Sequence, residues 1–549
     1  MAFISVCLLA GGLPWSGMRL QAGILQGIVV DAESGEAVAS RVYLQNEQGE
    51  WLFVQSASSR GSALEYREQW VPMPDSVERH TTVSAEGFKV DLPAGRYRIE
   101  IEKGKEYLPL SDVIEIRDAD VQREFLIRRY AHAAEQGWYS GETHVHRRIQ
   151  ELPNVMQAED LNVAFPVTFW TTRSDQSPDL EPSTLRRQGP SPFGPREDRG
   201  ASPIYLDRTH VILPRNTEYE IFSVGEQRHV LGAVFLLNHQ SVFRQTAPPI
   251  RAIAEQAHAE GALLDLDKHS WPWALMLVPV AKVDLFELSN NSVWRTQFGF
   301  RSSLVPPADW MSVERDSAGA LTEWGWLEFG FQFYYALLNC GFRMMPTAGT
   351  ASGVHPVPLG HSRVYVQTGR DFSHETWLEG LRAGRSFVTT GPMLFAELDG
   401  QWPGHEFQRT RSDKQPQRLQ FRVLSPNPVT SIEVLLNGRV VASLTPERSL
   451  SSDWWESQHE VSIAPDQSSW VAVRCVSEQA DGRKRFAHTA PWFITVDEQP
   501  ITPRRQEVQY FVERMQAEVE RNQSVLSAAA MAEFQEALQT YESLLERAE

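Results

Sequence analysis

Cysteine is scarce, with three in 549 residues: Cys7, Cys340 and Cys475. Cys7 lies near the N-terminus and the other two fall in different expected domains, so neither a disulfide framework nor a thiolate zinc cluster can be built. Any metal must be held by nitrogen and oxygen. No stretch reaches the ~20 consecutive apolar residues that a spanning helix needs, so no membrane span is expected. Basic charge is also short, at 52 Lys and Arg against 70 Asp and Glu, for a net charge of -18. No cationic stripe invites nucleic acid, and an anionic membrane surface repels such a chain. The expected partner is a small-molecule or glycan-like substrate, with the oligomeric state open. No Lys or Arg precedes the apolar run Phe3 to Leu13, so the basic start of an export signal is missing. Leu20-Gln21-Ala22 nevertheless offers a small-residue cleavage pattern. Residues 1–23 are therefore read as a signal peptide, and the protein as exported, periplasmic or extracellular.

What is present describes folded modules. Hydrophobic residues make up 42% and aromatics 10%, enough for packed cores in several domains. From Gly27 to Leu126 short β-like runs alternate with turn signals such as Ser34-Gly35 and Pro93-Ala94-Gly95, the pattern of a β-sandwich over residues 24–130. Gly27-Ile28-Val29-Val30-Asp31 followed by Ser34-Gly35, and Leu92 to Tyr97, resemble a carboxypeptidase regulatory-like sandwich, which implies an accessory role. From Gly137 strands alternate with helices. Val163 to Trp170, His229 to Leu237, Ala262 to Leu266, Val283 to Leu288 and Arg343 to Thr347 read as strands; Ile250 to Glu260, Leu327 to Cys340 and His374 to Ala383 read as helices. Such alternation over residues 131–400 predicts a distorted β/α, TIM-type barrel with its site at the strand C-termini. Residues 401–500, with the Asn437-Gly438 hairpin signal, read as a second β-sandwich. Residues 501–549 carry two amphipathic helical patterns.

The chemistry begins at Trp138 to His146. Strand alternation puts His144 and His146 on one face, where two neutral imidazoles can grip one ion. Asp267 and His269 follow the strand Ala262 to Leu266, Glu287 ends Val283 to Leu288, and His355 follows Arg343 to Thr347 across a Gly-rich turn. The expected metal ligands are His144, His146, His269, Glu287 and His355, holding a divalent ion such as zinc, manganese or iron. Asp267 or His229 is the expected general base or the group that orients a ligand. Glu220 and Glu226 are further candidates. Trp271, Trp273 and Trp294 are expected to wall a pocket, and Arg147, Arg148, Lys268 and Arg295 would suit an anionic substrate.

His144-Val145-His146, Asp265 to His269, Phe286 to Asn291, Gly349 to His355, Leu381 to Phe387 and Gly391-Pro392 together resemble the carbaryl-hydrolase (CehA/McbA) family. That family belongs to the wider polymerase-and-histidinol-phosphatase (PHP) superfamily. The resemblance implies a PHP-like barrel whose rim holds two or three divalent ions, with His144, His146, His269 and His355 matching family histidines. The chain departs from the pattern at Thr350-Ala351-Ser352, where the superfamily has Asp-x-His, and at Thr171-Thr172-Arg173, where Thr-Asp-His is usual. Fewer ligands imply fewer metal positions. The reading is a metal-dependent hydrolase activating water for attack on an ester, carbamate or amide-type bond. The alternatives are a phosphoesterase and an exported, non-catalytic binding or scaffold protein with a degenerate metal site.

Overall fold

The computed structural model describes residues 22–117, 119–180, 194–300, 303–369, 371–413, 415–446 and 453–549. Of the expected signal peptide, only Ala22 and Gly23 are among them, and they open the first strand, Ala22–Asp31. Burial alternates along that strand from Ala22 to Val29, with Leu25 and Val29 buried and Ile24 and Ile28 exposed. Its four-stranded sheet and a second sheet built on Ser40–Asn46 and Gly95–Glu102 enclose one apolar core containing Leu25, Val42, Phe88 and Ile99. Two sheets facing across one core make an N-terminal sandwich.

The central strands are β1 (Trp138–Val145), β2 (Val163–Pro166), β3 (Phe169–Arg173), β4 (Thr217–Val224), β5 (Gln227–Leu237), β6 (Leu263–Leu266), β7 (Leu285–Ser289), β8 (Met345–Ala348), β9 (Arg363–Gln367) and β10 (Ser386–Thr389). They do not close into a barrel. Strands β3-β4-β5-β6-β7-β8 form one six-stranded sheet, whereas β2-β1-β9-β10 belong to a twelve-stranded sheet; among the described residues neither is closed. The break lies where a single strand was expected, from Val163 to Trp170. Pro166 has no N–H to donate, and the chain steps from one sheet to the other through residues 167 and 168. Asn216 fastens the step, its Nδ2 donating to the carbonyls of Pro166 at 2.8 Å and Leu213 at 2.7 Å. At the other margin β8 touches β1 without a ladder. Thr143 Oγ1 donates to the Ala348 carbonyl at 3.3 Å, and Ala351 N to the His144 carbonyl at 2.9 Å.

Five of the helices are α1 (Arg251–Ala259), α2 (Glu323–Asn339), α3 (His374–Ala383), α4 (Arg505–Asn522) and α5 (Ala528–Glu546). Helix α3 starts in a Ser373/Thr376 capping box and ends at Gly384 in the left-handed region. The two C-terminal helices bury Val508, Phe511, Met515, Phe534 and Tyr541 in the central core. Glu533 also receives the first N–H groups of α1, from Ile250 and Arg251, complementing that helix terminus. The twelve-stranded sheet continues from β10 into Lys484–Thr489, Ser469–Glu478 and Val429–Leu436. It therefore runs through position 400 into the second sandwich, whose core includes Trp138, Phe387, Val473 and Trp492.

Helix α2 is buried on nearly all sides and locks this sandwich to the centre. Trp470 Nε1 donates to Asn339 Oδ1 at 2.8 Å, and Tyr335 Oη donates to His488 Nε2 at 2.8 Å while His488 Nδ1 donates to the Thr489 carbonyl. Burial pushes the His488 imidazole down to about 3. Because the folded value lies below the ordinary 6.5, the stability from burying His488 neutral is full above pH 6.5 and is lost as pH falls towards 3. In paired unfolding curves, the stability of wild type relative to His488→Gln should therefore shrink by about 2 kcal/mol between pH 7.5 and pH 5. A pH-independent difference would contradict this.

Candidate metal centre

Strand β1 is buried along its whole length. Val145 enters a small apolar cluster with Leu152, Met156 and Ile212, so alternation turns His144 and His146 the other way, towards β4 and β7. Their Nε2 atoms lie 3.1 Å apart. Two nitrogens bound at ~2.0–2.1 Å to one tetrahedral ion sit roughly 3.3 Å from each other. Glu218 Oε2, from β4, lies 3.4 Å from His146 Nε2 and accepts no hydrogen bond among the described residues. His144, His146 and Glu218 thus present three buried ligand atoms within 4.8 Å of one another.

The other face of the His144 ring meets acids. Its Nδ1 is 3.1 Å from Glu287 Oε1 and 3.7 Å from Asp267 Oδ1, and these three residues form a second group of the same kind. A carboxylate on Nδ1 fixes the tautomer that leaves Nε2 bare, the usual support for a metal-binding histidine. Burial, opposed by Asp267, pushes His144 down to about 3, so the ring is neutral and can donate a lone pair. Burial pushes the Glu218 and Glu287 carboxyls well up, and neighbouring acids push them further: Glu220 and Asp267 for Glu218, Asp267 and Asp265 for Glu287. Lys268 reaches this group as a cation, paired with Asp267 Oδ2. Crowded, desolvated carboxylates beside bare imidazole nitrogens form a donor set that suits a divalent cation.

The turn after β8 is fitted against this group. Ser352 bridges to Val145, and its carbonyl accepts from His146 N at 2.9 Å. A Cβ on Gly349 would stand 2.3 Å from His144 Cβ and 2.5 Å from Glu287 Oε1. Glycine is needed here for close approach.

Five of the residues expected from the sequence are placed in or beside the cluster: His144, His146, Glu287 and Asp267 within it, and Glu220 on the adjoining cavity wall. Three expected residues lie outside both groups. His269 belongs to neither group; its ring lies among Trp326, Phe329 and Phe333, and among the described residues neither ring nitrogen has a hydrogen-bond partner. It follows the end of β6, where strand alternation no longer fixes the side chain's direction. His229 is not at the site either. Arg228 and Val230 line the cavity, so alternation sends His229 to the other side, where Nε2 meets Asn522 Oδ1 at 2.6 Å. His355 reaches the cavity wall but packs tilted against Trp70 at 4.7 Å and is in neither group. Glu226 is exposed in the β4–β5 turn. Arg173 turns to Asp175, and Ala351 lines the cavity without a ligand atom.

Glu218 is absent from the sequence expectations although its signal was there. Glu220 was singled out, and Glu218 precedes it by two on the same strand and therefore on the same face.

The groups open onto a cavity of about 330 Å³. His144, His146, Glu220 and Lys268 reach it, and the rest of its wall is largely aromatic: Trp70, Trp170, Phe222, Trp271, Phe300 and Trp326. Of the three expected Trp residues, Trp271 lines the cavity, while Trp273 and Trp294 are fully buried. Of the expected cations only Lys268 does so, joined by Arg228. Arg147 is held by Ser352 and Glu151, and Arg295 by Glu100 and Glu102. Burial pushes the Glu220 carboxyl up to about 8, with Lys268 opposing and Asp267 adding to the rise.

No family model matches the chain, and no curated protein does. Among solved structures it is similar to a two-domain protein containing a predicted PHP-like metal-dependent phosphoesterase from Bacteroides vulgatus, at 9% identity and a TM-score of 0.30, over 65% of this chain and 94% of that one. It is also similar to the Parabacteroides merdae beta-glucuronidase, at 10% identity and a TM-score of 0.16, over 87% of this chain and 65% of that one. At these TM-scores neither likeness bears on fold or chemistry.

Proposed function

We propose that the chain is a metal-dependent hydrolase acting on an uncharged ester, carbamate or amide with an apolar portion. One observation carries the reading: His144 Nε2, His146 Nε2 and Glu218 Oε2 converge, buried, beside a cavity walled by aromatic rings. A divalent cation held there would polarise a carbonyl oxygen and lower the pKa of water towards ~7. Glu287 meets His144 Nδ1, keeping Nε2 directed at the group, and Asp267 stands behind it. Glu220 lines the cavity and is the carboxyl placed to exchange a proton with a leaving oxygen or nitrogen. Lys268 adds an ammonium tied to Asp267, and the rings exclude water and receive the apolar part of the substrate.

A phosphoester fits less well: Lys268 on the cavity wall is paired with Asp267, and Arg147 and Arg295 are engaged elsewhere, although Arg228 also lines the cavity. The test is hydrolysis of phenyl acetate, phenyl N-methylcarbamate and p-nitrophenyl phosphate by chelator-stripped protein and by the same protein given zinc, manganese or iron(II). The expected result is carboxyl-ester or carbamate turnover that falls at least ~100-fold on stripping and returns with one of the metals. Turnover indifferent to chelation, or confined to the phosphate ester, would overturn the reading.

A further inference from the structure

The N-terminal sandwich does more than flank the central sheets. Its strand Ala63–Gln69 carries Tyr66, whose hydroxyl donates to the carbonyls of His355 at 3.0 Å and Val357 at 2.9 Å. Tyr66 is nearly fully buried, and the Arg147 guanidinium lies 4.3 Å from its ring centroid. This contact holds the chain that follows the Gly349 turn and fixes the sandwich against the cavity. The residue after the strand is Trp70. It lines the cavity together with His144 and His146 yet is 45% exposed, unusual for a tryptophan making so many ring contacts. Its ring lies 4.8 Å from Phe300 and 4.7 Å from His355, and Phe300 in turn lies 5.3 Å from Trp326 on α2. The aromatic wall is therefore continuous from the accessory sandwich to the central helix.

We propose that Trp70 is a specificity-determining residue of the site, contributed by the N-terminal sandwich, and that it selects substrates whose leaving or acyl group is a flat, uncharged ring. The inference rests on the hydrolase reading. Its physical basis is that a large, partly exposed indole already held by neighbouring rings gives up little freedom when a planar group stacks on it. An aliphatic group of the same volume gains burial but no stacking.

The test compares kcat and KM for phenyl acetate and ethyl acetate in zinc-loaded wild type, Trp70→Ala and Trp70→Phe, with zinc content and thermal unfolding recorded for each. The expected result is a fall of roughly 10-fold in the ratio of kcat/KM for phenyl over ethyl acetate in Trp70→Ala, carried by KM and largely restored in Trp70→Phe. Equal losses on both esters would reduce Trp70 to a structural role and overturn the proposal, as would an unchanged ratio. Calorimetric binding of indole to the same zinc-loaded proteins keeps the question separate from turnover. If wild type hydrolyses neither ester, the hydrolase reading fails, but indole binding weakened roughly 10-fold in Trp70→Ala still supports Trp70 as the ring-binding wall. Indole affinity equal in the two proteins overturns it.

Discussion

His146→Ala lowers ester or carbamate hydrolysis by about 1,000-fold or more, the order expected when several kcal/mol of charge stabilisation at the reacting oxygen disappears. The loss appears in kcat as well as in kcat/KM, and added metal does not restore it at concentrations that saturate wild type. His146 Nε2 is the atom that faces both His144 Nε2 at 3.1 Å and Glu218 Oε2 at 3.4 Å, so its removal dismantles the three-atom group. Glu287→Gln is the informative companion. Glu287 meets His144 on Nδ1, away from His146, so its replacement should weaken metal affinity by roughly 10–100-fold, with activity returning at high metal concentration. Competition with a chromogenic chelator separates the two behaviours. Full activity in His146→Ala would remove the basis of the account.

The second large effect comes from a residue with no side chain. Gly349→Ala places a methyl 2.3 Å from His144 Cβ and 2.5 Å from Glu287 Oε1, and 3.0 Å from Glu287 Cδ. Both neighbours are buried, and the His144 Cβ is fixed to the β1 backbone, so the imidazole, the carboxylate or the turn itself must move. A shift of about 1 Å in a site of this kind costs on the order of 100-fold in rate. Gly341→Ala is the control: its glycine has a φ of 90° but open space around the new methyl, so it strains the backbone without touching the site. Circular dichroism and thermal unfolding should show both variants folded, with the activity loss confined to Gly349→Ala. Comparable activity in the two would show that the fit around His144 and Glu287 does not matter.

The sequence was most informative where alternation holds. His144 and His146 on one face of a strand, and Glu287 inside β7, were legible because two-residue periodicity orients side chains reliably inside a ladder, whereas Asp267, one residue past β6, was legible only from its place at the strand end. The same rule, fully applied, would have found Glu218 from Glu220 and excluded His229 from between Arg228 and Val230. It gives no guidance past a strand end, which is why His269 was misplaced among the α2 rings. The open sheets were hidden for another reason. An apolar run such as Val163 to Trp170 reads as one strand unless Pro166 is given its weight as a break, and whether strands close into a barrel depends on pairings that no local pattern contains. Trp70 and Tyr66 were the least legible. The bond from Tyr66 to the His355 carbonyl spans 289 positions, and nothing local marks a sandwich as part of another domain's site.

The central claim is that His144, His146 and Glu218 hold a divalent cation. Elemental analysis of the purified chain beside the His144→Ala/His146→Ala double variant, both dialysed against the same zinc, manganese or iron(II) buffer, tests it directly. The account predicts about one equivalent or more in wild type and less than about a tenth of that in the folded variant. Equal metal in the two, or none in either after supplementation, would contradict it.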